Sequence, residues 1–320
     1  MATYLVTGAA GFIGQHLTAA LTARGERVHA VDVELHEEAP EQVRRLREAG
    51  ADYHCVDLTD PARVAELPDV DGVFHLAALN GTQNFYASPW QTLKHSTLPT
   101  LLLLERYARA GLEFFFYAGS SESYASVVSQ FGWEIPTGED VPLGISDPRE
   151  LRWSYGASKL HGEVAMFAAA AELGVPAVVG RFHNAYGPHM GTKHVIPDFI
   201  ARAREGTFSL YGSRQTRSFI YIDDAVRAVL AVAATGVGEV INIGSPNEVT
   251  MLELAEVIMA EAGWSGQITE YPAPSSSVQR RSPDVTRLGE LVDTSAFVPL
   301  AAGVREVLRS LGLARTAGDH

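Results

Sequence analysis

The chain has 320 residues, 46% of them hydrophobic and 20% charged, with a formal net charge of −13 and a single cysteine, Cys55. That length supports one large domain or two lobes around a sizeable core. The acidic balance argues against nucleic acid or an anionic membrane as partner. One cysteine excludes an internal disulfide and suggests no cysteine-based metal cluster, and no apolar run reaches the roughly 18 residues of a membrane span.

The chain opens on a buried strand, Tyr4-Leu5-Val6, with no basic segment or apolar stretch of a leader before it. A reducing, cytoplasmic setting is therefore the expected location, and no metal ligands are expected. The strand feeds Gly8-Ala9-Ala10-Gly11-Phe12-Ile13-Gly14, after which helical spacing continues to Arg24. A strand entering a glycine turn that opens a helix suits a diphosphate. The turn permits close backbone approach, and the helix start offers free N–H groups and a positive dipole end. The next apolar run, residues 27–31, ends in Asp32, where a carboxylate accepts from ribose hydroxyls of a dinucleotide.

Further strands are predicted at 51–56, 72–75, 113–118 and 177–182. Helices are predicted near 13–24, 41–49, 61–67, 89–110, 155–173, 195–205, 222–233 and 251–261. This alternation predicts an α/β fold of the Rossmann type, a doubly wound parallel sheet wrapped by helices. After about Phe182 the chain is richer in Gly, Pro and Arg. It is expected to form a smaller C-terminal lobe over the carboxyl edge of the sheet, where such folds bind ligands. The expected division is 1–182, with 219–245 returning to it, for the dinucleotide domain, and 183–218 with 246–320 for the substrate lobe. Residues 271–284 have the composition of a linker or binding loop, and the tail after Leu313 is expected to fray.

Chemistry is expected where Tyr155-Gly156-Ala157-Ser158-Lys159 starts an alanine-rich helix. Residues four apart share a helical face, and an ammonium beside a phenol favours the phenolate, so Tyr155 is the expected base. The apolar run 113–118 leads into Gly119-Ser120-Ser121-Glu122, and its end should face the same crevice. Ser120 is placed to hold a reacting hydroxyl and Glu122 to move a second proton.

Together these motifs resemble the extended short-chain dehydrogenase/reductase family, the NAD-dependent nucleotide-sugar epimerases, dehydratases and decarboxylases. The resemblance spans nearly the whole chain. It implies NAD held by Gly8, Gly11, Phe12, Ile13, Gly14 and Asp32, by Asp57-Leu58 at the adenine, and by Ala77 and Ala78 beside His75-Leu76. NAD is expected over NADP, since Asp32 would repel a 2′-phosphate. It implies catalysis by Tyr155, Lys159, Ser120, Ser121 and Glu122, and substrate contacts from Asn184, Tyr211, Arg217, Arg281 and Asp284, with the two arginines on the diphosphate. A nucleotide-diphosphate sugar, UDP-linked by preference, is the implied substrate, and a homodimer the implied assembly.

Within that family, Gly119-Ser120-Ser121-Glu122 is similar to the Ser-Thr-Ser-Glu of UDP-glucuronate decarboxylases and GDP-mannose dehydratases. The stretch from Asn84 through Lys94 also resembles the decarboxylases. The chain departs from the pattern at Ser96, Pro99 and Ala125. The expected reaction is transient oxidation at C4, then decarboxylation or dehydration, with plain 4-epimerisation as the alternative; a non-catalytic dinucleotide-binding regulator is a further, disfavoured one.

Overall fold

The structure, a computed structural model, describes residues 1–33, 39–192, 194–236, 238–273 and 278–314. The end of the tail expected to fray (315–320) and the middle of the expected binding loop (274–277) lie outside the described residues.

Seven strands form one parallel sheet. Six of them are β1 (Thr3–Thr7), β2 (Arg27–Asp32), β3 (Asp52–Cys55), β4 (Gly72–His75), β5 (Phe114–Ser120) and β6 (Ala177–Phe182), and the seventh is Val240–Ile243. Across the sheet the order is Val240–Ile243, β6, β5, β4, β1, β2, β3. All neighbours pair in parallel. The order reverses direction between β1 and β4, and this places a crevice at the carboxyl ends of those two strands.

The strands are apolar on both faces because helices cover both. Leu5, Val73, Phe115, Tyr117 and Val179 point into one core, with Leu103, Leu104 and Tyr107 from helix Pro89–Tyr107 and Met166 and Ala169 from helix Trp153–Leu173. Their sequence neighbours Val6, Phe74, Phe116 and Val178 point into the other, with Leu17 and Leu21 of helix Phe12–Ala23 and Ala225 and Val229 of helix Ile222–Ala233. This second core runs on through Phe199, Phe208, Leu254, Ile258 and Leu308, so the later elements pack on the sheet through continuous apolar contact.

Those later elements build small sheets. Thr216–Ser218 lies between Glu248–Thr250 and Arg280–Arg281, and Thr207–Tyr211 pairs with Gln267–Tyr271. Thr250 starts helix Met251–Ala262 with a reciprocal capping box to Glu253. The stretch read as a linker or loop thus contains a strand, Arg280–Arg281, which sets Arg281 beside Arg217 in register.

A buried ion pair fastens the long helix Trp153–Leu173 to the sheet. The Arg181 guanidinium, on β6, donates to Glu163 from Nε and Nη2 (3.1 and 2.9 Å) and to the Glu139 carbonyl from Nη1 (2.7 Å). Burial pushes the Glu163 carboxyl up, and Arg181 pulls it back. Removing one partner of such a pair leaves an uncompensated buried charge, typically about 3–5 kcal/mol.

Candidate active site

At the carboxyl end of β1, Gly8 has φ +68°, and a Cβ there would lie 2.8 Å from the Ala77 nitrogen. Only glycine allows the turn and the β4 loop to approach this closely. Gly11 precedes helix Phe12–Ala23 with no side chain to cap it, so the helix start stays open to an anion. Phe12 and Ile13 anchor that start in the core, and Gly14 is buried in its first turn. Asp32, at the tip of β2, accepts from the Ala10 N–H (2.8 Å) and from its neighbour Val33 (2.7 Å). The carboxylate is therefore oriented by the glycine turn itself. Thr7 Oγ and His75 Nδ1 are 2.7 Å apart, and Thr7 also accepts from the Ala77 N–H (3.3 Å), joining β1 to the β4 loop that carries Ala77 and Ala78. Asp57 closes a turn by accepting from the N–H and hydroxyl of Thr59, and Leu58 is buried. A Gly8 turn that any Cβ would fill, an open helix start and an oriented acid at the tip of β2 together fit a dinucleotide.

On the other side of the crevice, β5 runs through Ser120, two residues past its predicted end. It turns at Ser121–Ser123 because the Ser120 hydroxyl accepts from the Glu122 N–H (3.2 Å). Ser121 is buried in that turn. The catalytic helix starts at Trp153, two residues before its predicted start, and brings Tyr155 to the same place. A Cβ on Gly156 would lie 2.7 Å from the Glu122 carbonyl, so this glycine lets the helix press on the turn. Phe85 stacks on the Tyr155 ring, centroids 5.0 Å apart and planes within 10°.

Lys159 is buried and donates to the Ala118 carbonyl (2.7 Å), its ammonium 5.6 Å from the Tyr155 ring centroid. Burial pushes this lysine down to about 7, with Glu163 acting against the fall. Burial pushes the Tyr155 hydroxyl well up, the Glu122 charge adds to the rise, and only the Ser120 hydroxyl lowers it. Desolvation opposes the charged form of both groups.

Glu122 sits between two guanidiniums. Arg281 donates from Nη1 to Oε1 at 2.7 Å, and Arg152 donates from Nη2 to Oε2 at 3.3 Å. Burial works to raise this carboxyl, but Arg281 and Arg152 outweigh it and hold it below the usual carboxylate range. Arg281, expected on a diphosphate, is thus placed at the catalytic turn. Arg217 stays in the cluster. It donates to the carbonyls of Thr216 and Val278 (2.7 and 2.8 Å), and burial, with Arg281 nearby, pushes it down to about 10.

The remaining expected substrate residues spread outward. The Asn184 amide donates to the Ser218 carbonyl (2.9 Å), tying the chain after β6 to the strand of Arg217. Tyr211, 54% exposed, stacks on Tyr271 at 5.0 Å, a pair of aromatic faces open to a planar ligand. Asp284 closes a local turn, one carboxylate oxygen accepting from the N–H and hydroxyl of Thr286 (2.8 and 2.6 Å). Two residues were missed. Arg152 lies one helical turn before Tyr155, a spacing that would have flagged it. Phe85 comes from a short helix, Thr82–Ala87, that carries no periodic signal.

A family model described as the NAD dependent epimerase/dehydratase family matches residues 4–244. UDP-glucuronic acid decarboxylase 1 of Xenopus tropicalis is 29% identical over 95% of this chain and 70% of its own length. UDP-N-acetyl-alpha-D-glucosaminuronate decarboxylase of Bacillus cytotoxicus is 31% identical over 95% of this chain and 96% of its own. Among solved structures, UDP-glucuronic acid 4-epimerase of Bacillus cereus, in complex with UDP-glucuronic acid and NAD, superposes with a TM-score of 0.84. It is 25% identical and covers 97% of this chain and 99% of that one. With its glycine turn, oriented Asp32 and Tyr155–Lys159 helix, the chain belongs to the NAD-dependent epimerase/dehydratase family, and NAD is its cofactor.

Proposed function

We propose that the protein modifies a nucleotide-diphosphate sugar, UDP-linked by preference, through transient oxidation at C4 followed by Glu122-assisted decarboxylation or dehydration. The observation that carries this reading is the ionised Glu122, held by Arg152 and Arg281 on the turn that also presents Ser120 to Tyr155. A plain exchange of configuration at C4 gives such a carboxylate no proton to move. A reaction that continues to C5 does.

Gly8, Gly11, Phe12, Ile13, Gly14, Asp32, Asp57, Leu58, Ala77 and Ala78 would hold NAD, which when bound supplies reversible hydride acceptance at the sugar carbon. Ser120 holds the C4 hydroxyl, and Tyr155 takes its proton and later returns it. Lys159, its ammonium 5.6 Å from the Tyr155 ring centroid, supplies positive charge that favours the phenolate. Phe85 and the buried walls keep water from the pair. If water is lost, Glu122 takes the C5 proton; if carbon dioxide is lost, C5 gains a proton from solvent, and Glu122 orients the water that delivers it. Asn184, Tyr211, Arg217, Arg281 and Asp284 of the lobe at 183–218 and 246–320 contact the substrate, with the two arginines on the diphosphate.

A second reading, 4-epimerisation, is favoured by the close superposition on the Bacillus cereus 4-epimerase. Glu122→Gln separates the two. A lost acid–base group costs about 10²-fold or more in turnover, whereas an epimerase would keep near-normal turnover, because its C5–H is never touched.

A further inference from the structure

We propose that a cavity at the amino edge of the sheet, walled by Tyr4, Phe74 and Phe114 and rimmed by Glu26 and Glu113, is a binding site for a compact alkylammonium cation, separate from the crevice that takes the nucleotides.

The cavity has a volume of about 360 Å³, within the range of small-ligand pockets. It lies at the starts of β1, β4 and β5, against the ends of helices Phe12–Ala23 and Ile222–Ala233, which contribute Leu21, Leu230 and Ala233. The crevice lies at the other ends of the same three strands, where Gly8, Ala77 and Ser120 stand. The five residues of β1 put about 15 Å between the two edges.

The wall is aromatic. The Tyr4 ring lies 5.7 Å from those of Phe74 and Phe114, and the two phenylalanine rings lie 4.9 Å apart at 63°. Gly72 makes room for this group, since a Cβ there would lie 2.6 Å from the Phe114 ring. A cation over an aromatic face is attracted by the ring quadrupole, and more so away from water.

The charge around the cavity is negative. Glu26 accepts from the Ala2 N–H (2.6 Å) and Asp71 from the Thr3 N–H (2.7 Å), so the start of β1 holds both carboxylates at this edge. Glu113 is exposed, and its carboxylate has neither a hydrogen bond nor an ion pair among the described residues. Burial pushes the Tyr4 phenol up, Glu26, Glu113 and Asp71 add to the rise, and Arg24 alone opposes them. Both helices bring their carbonyl ends, the negative ends of their dipoles, to the cavity, and neither carries a basic residue in its last turn. Arg24, which caps the first of them, is exposed at the rim.

This combination selects the ligand class. A hard metal ion takes about six or more oxygen ligands, which rings and apolar side chains do not supply. An anion meets three carboxylates, and a neutral apolar molecule gains nothing from them. An alkylammonium sets its methyl or methylene groups on the rings and its charge toward Glu113.

The test is calorimetric titration of the NAD-loaded full chain, at fixed ionic strength, with choline and with its uncharged carbon isostere 3,3-dimethylbutan-1-ol. Choline should bind about tenfold tighter than the alcohol. Glu113→Gln should weaken choline about threefold and leave the alcohol unchanged. Ala234→Arg, at an exposed position of the cavity lining, tethers a guanidinium at the mouth. It should remove choline binding while the retained NAD and the thermal unfolding midpoint stay at wild-type values. Equal affinity for the two probes, no choline binding by the wild type, or undiminished choline binding by Ala234→Arg would overturn the proposal. The sugar-nucleotide reading stands or falls separately, because its residues lie at the opposite edge of the sheet.

Discussion

Lys159→Met should make the protein more stable and catalytically dead, and the gain should depend on pH. The lysine is 2% exposed, and burial moves it from 10.5 to about 7. The unfolded chain therefore binds this proton more tightly than the folded chain. The penalty is fully present below about pH 7 and is relieved as pH rises from there towards 10.5. Integrated over that shift, the charged side chain costs the fold about 5 kcal/mol near pH 6 and about 2 kcal/mol near pH 9. Losing the hydrogen bond to the Ala118 carbonyl subtracts about 1–3 kcal/mol from the gain, but equally at both pH values. The stability difference between Lys159→Met and wild type should thus be about 3 kcal/mol larger near pH 6 than near pH 9. Urea unfolding followed by tryptophan fluorescence measures it. A difference that is flat with pH, or larger at the alkaline end, would refute the buried-charge argument.

Asp32→Ala should weaken NAD binding and narrow the preference over NADP, measured by fluorescence titration of both. Tighter NADP binding by the unmodified protein would count against Asp32 as a ribose ligand. The chain should run as a homodimer at micromolar concentration in light scattering. Leu101 on one long helix and Val164, Phe167 and Leu173 on the other are exposed although the two helices pack together. Val164→Glu should then give a monomer, and a monomeric wild type would remove the basis for the assembly.

The sheet was legible in the sequence because its strands are short apolar runs between helices of clear period. Strands β1, β2 and β4 fall within a residue of their predicted bounds, since Gly8, Asp32 and the loop after His75 end them sharply. Strand β5 overran its prediction because Gly119 and Ser120 look like a turn but continue pairing with Arg181 and Phe182 of β6. The strand Val240–Ile243 was not singled out, since its four residues carry no signal apart from the β6 edge they pair with. Of the site, the glycine turn and the Tyr155–Lys159 spacing are local patterns and could be read directly. The Arg152–Glu122–Arg281 cluster could not, because Arg281 is 159 residues from Glu122 and arrives only through the strand pairing that sets it beside Arg217. Spacing gives Tyr155 its charged neighbour, whereas the burial that pushes the phenol up comes only from the packed fold.

The central claim is tested most directly by incubating the purified protein with UDP-glucuronic acid and with UDP-glucose in deuterium oxide, without added cofactor, and identifying the nucleotide products by mass spectrometry and NMR. The account predicts that one of the two sugars loses carbon dioxide or water and gains one deuteron at C5, with the wild type and not with Tyr155→Phe. Both sugars recovered unchanged from the wild type, or equal turnover by Tyr155→Phe, would contradict it.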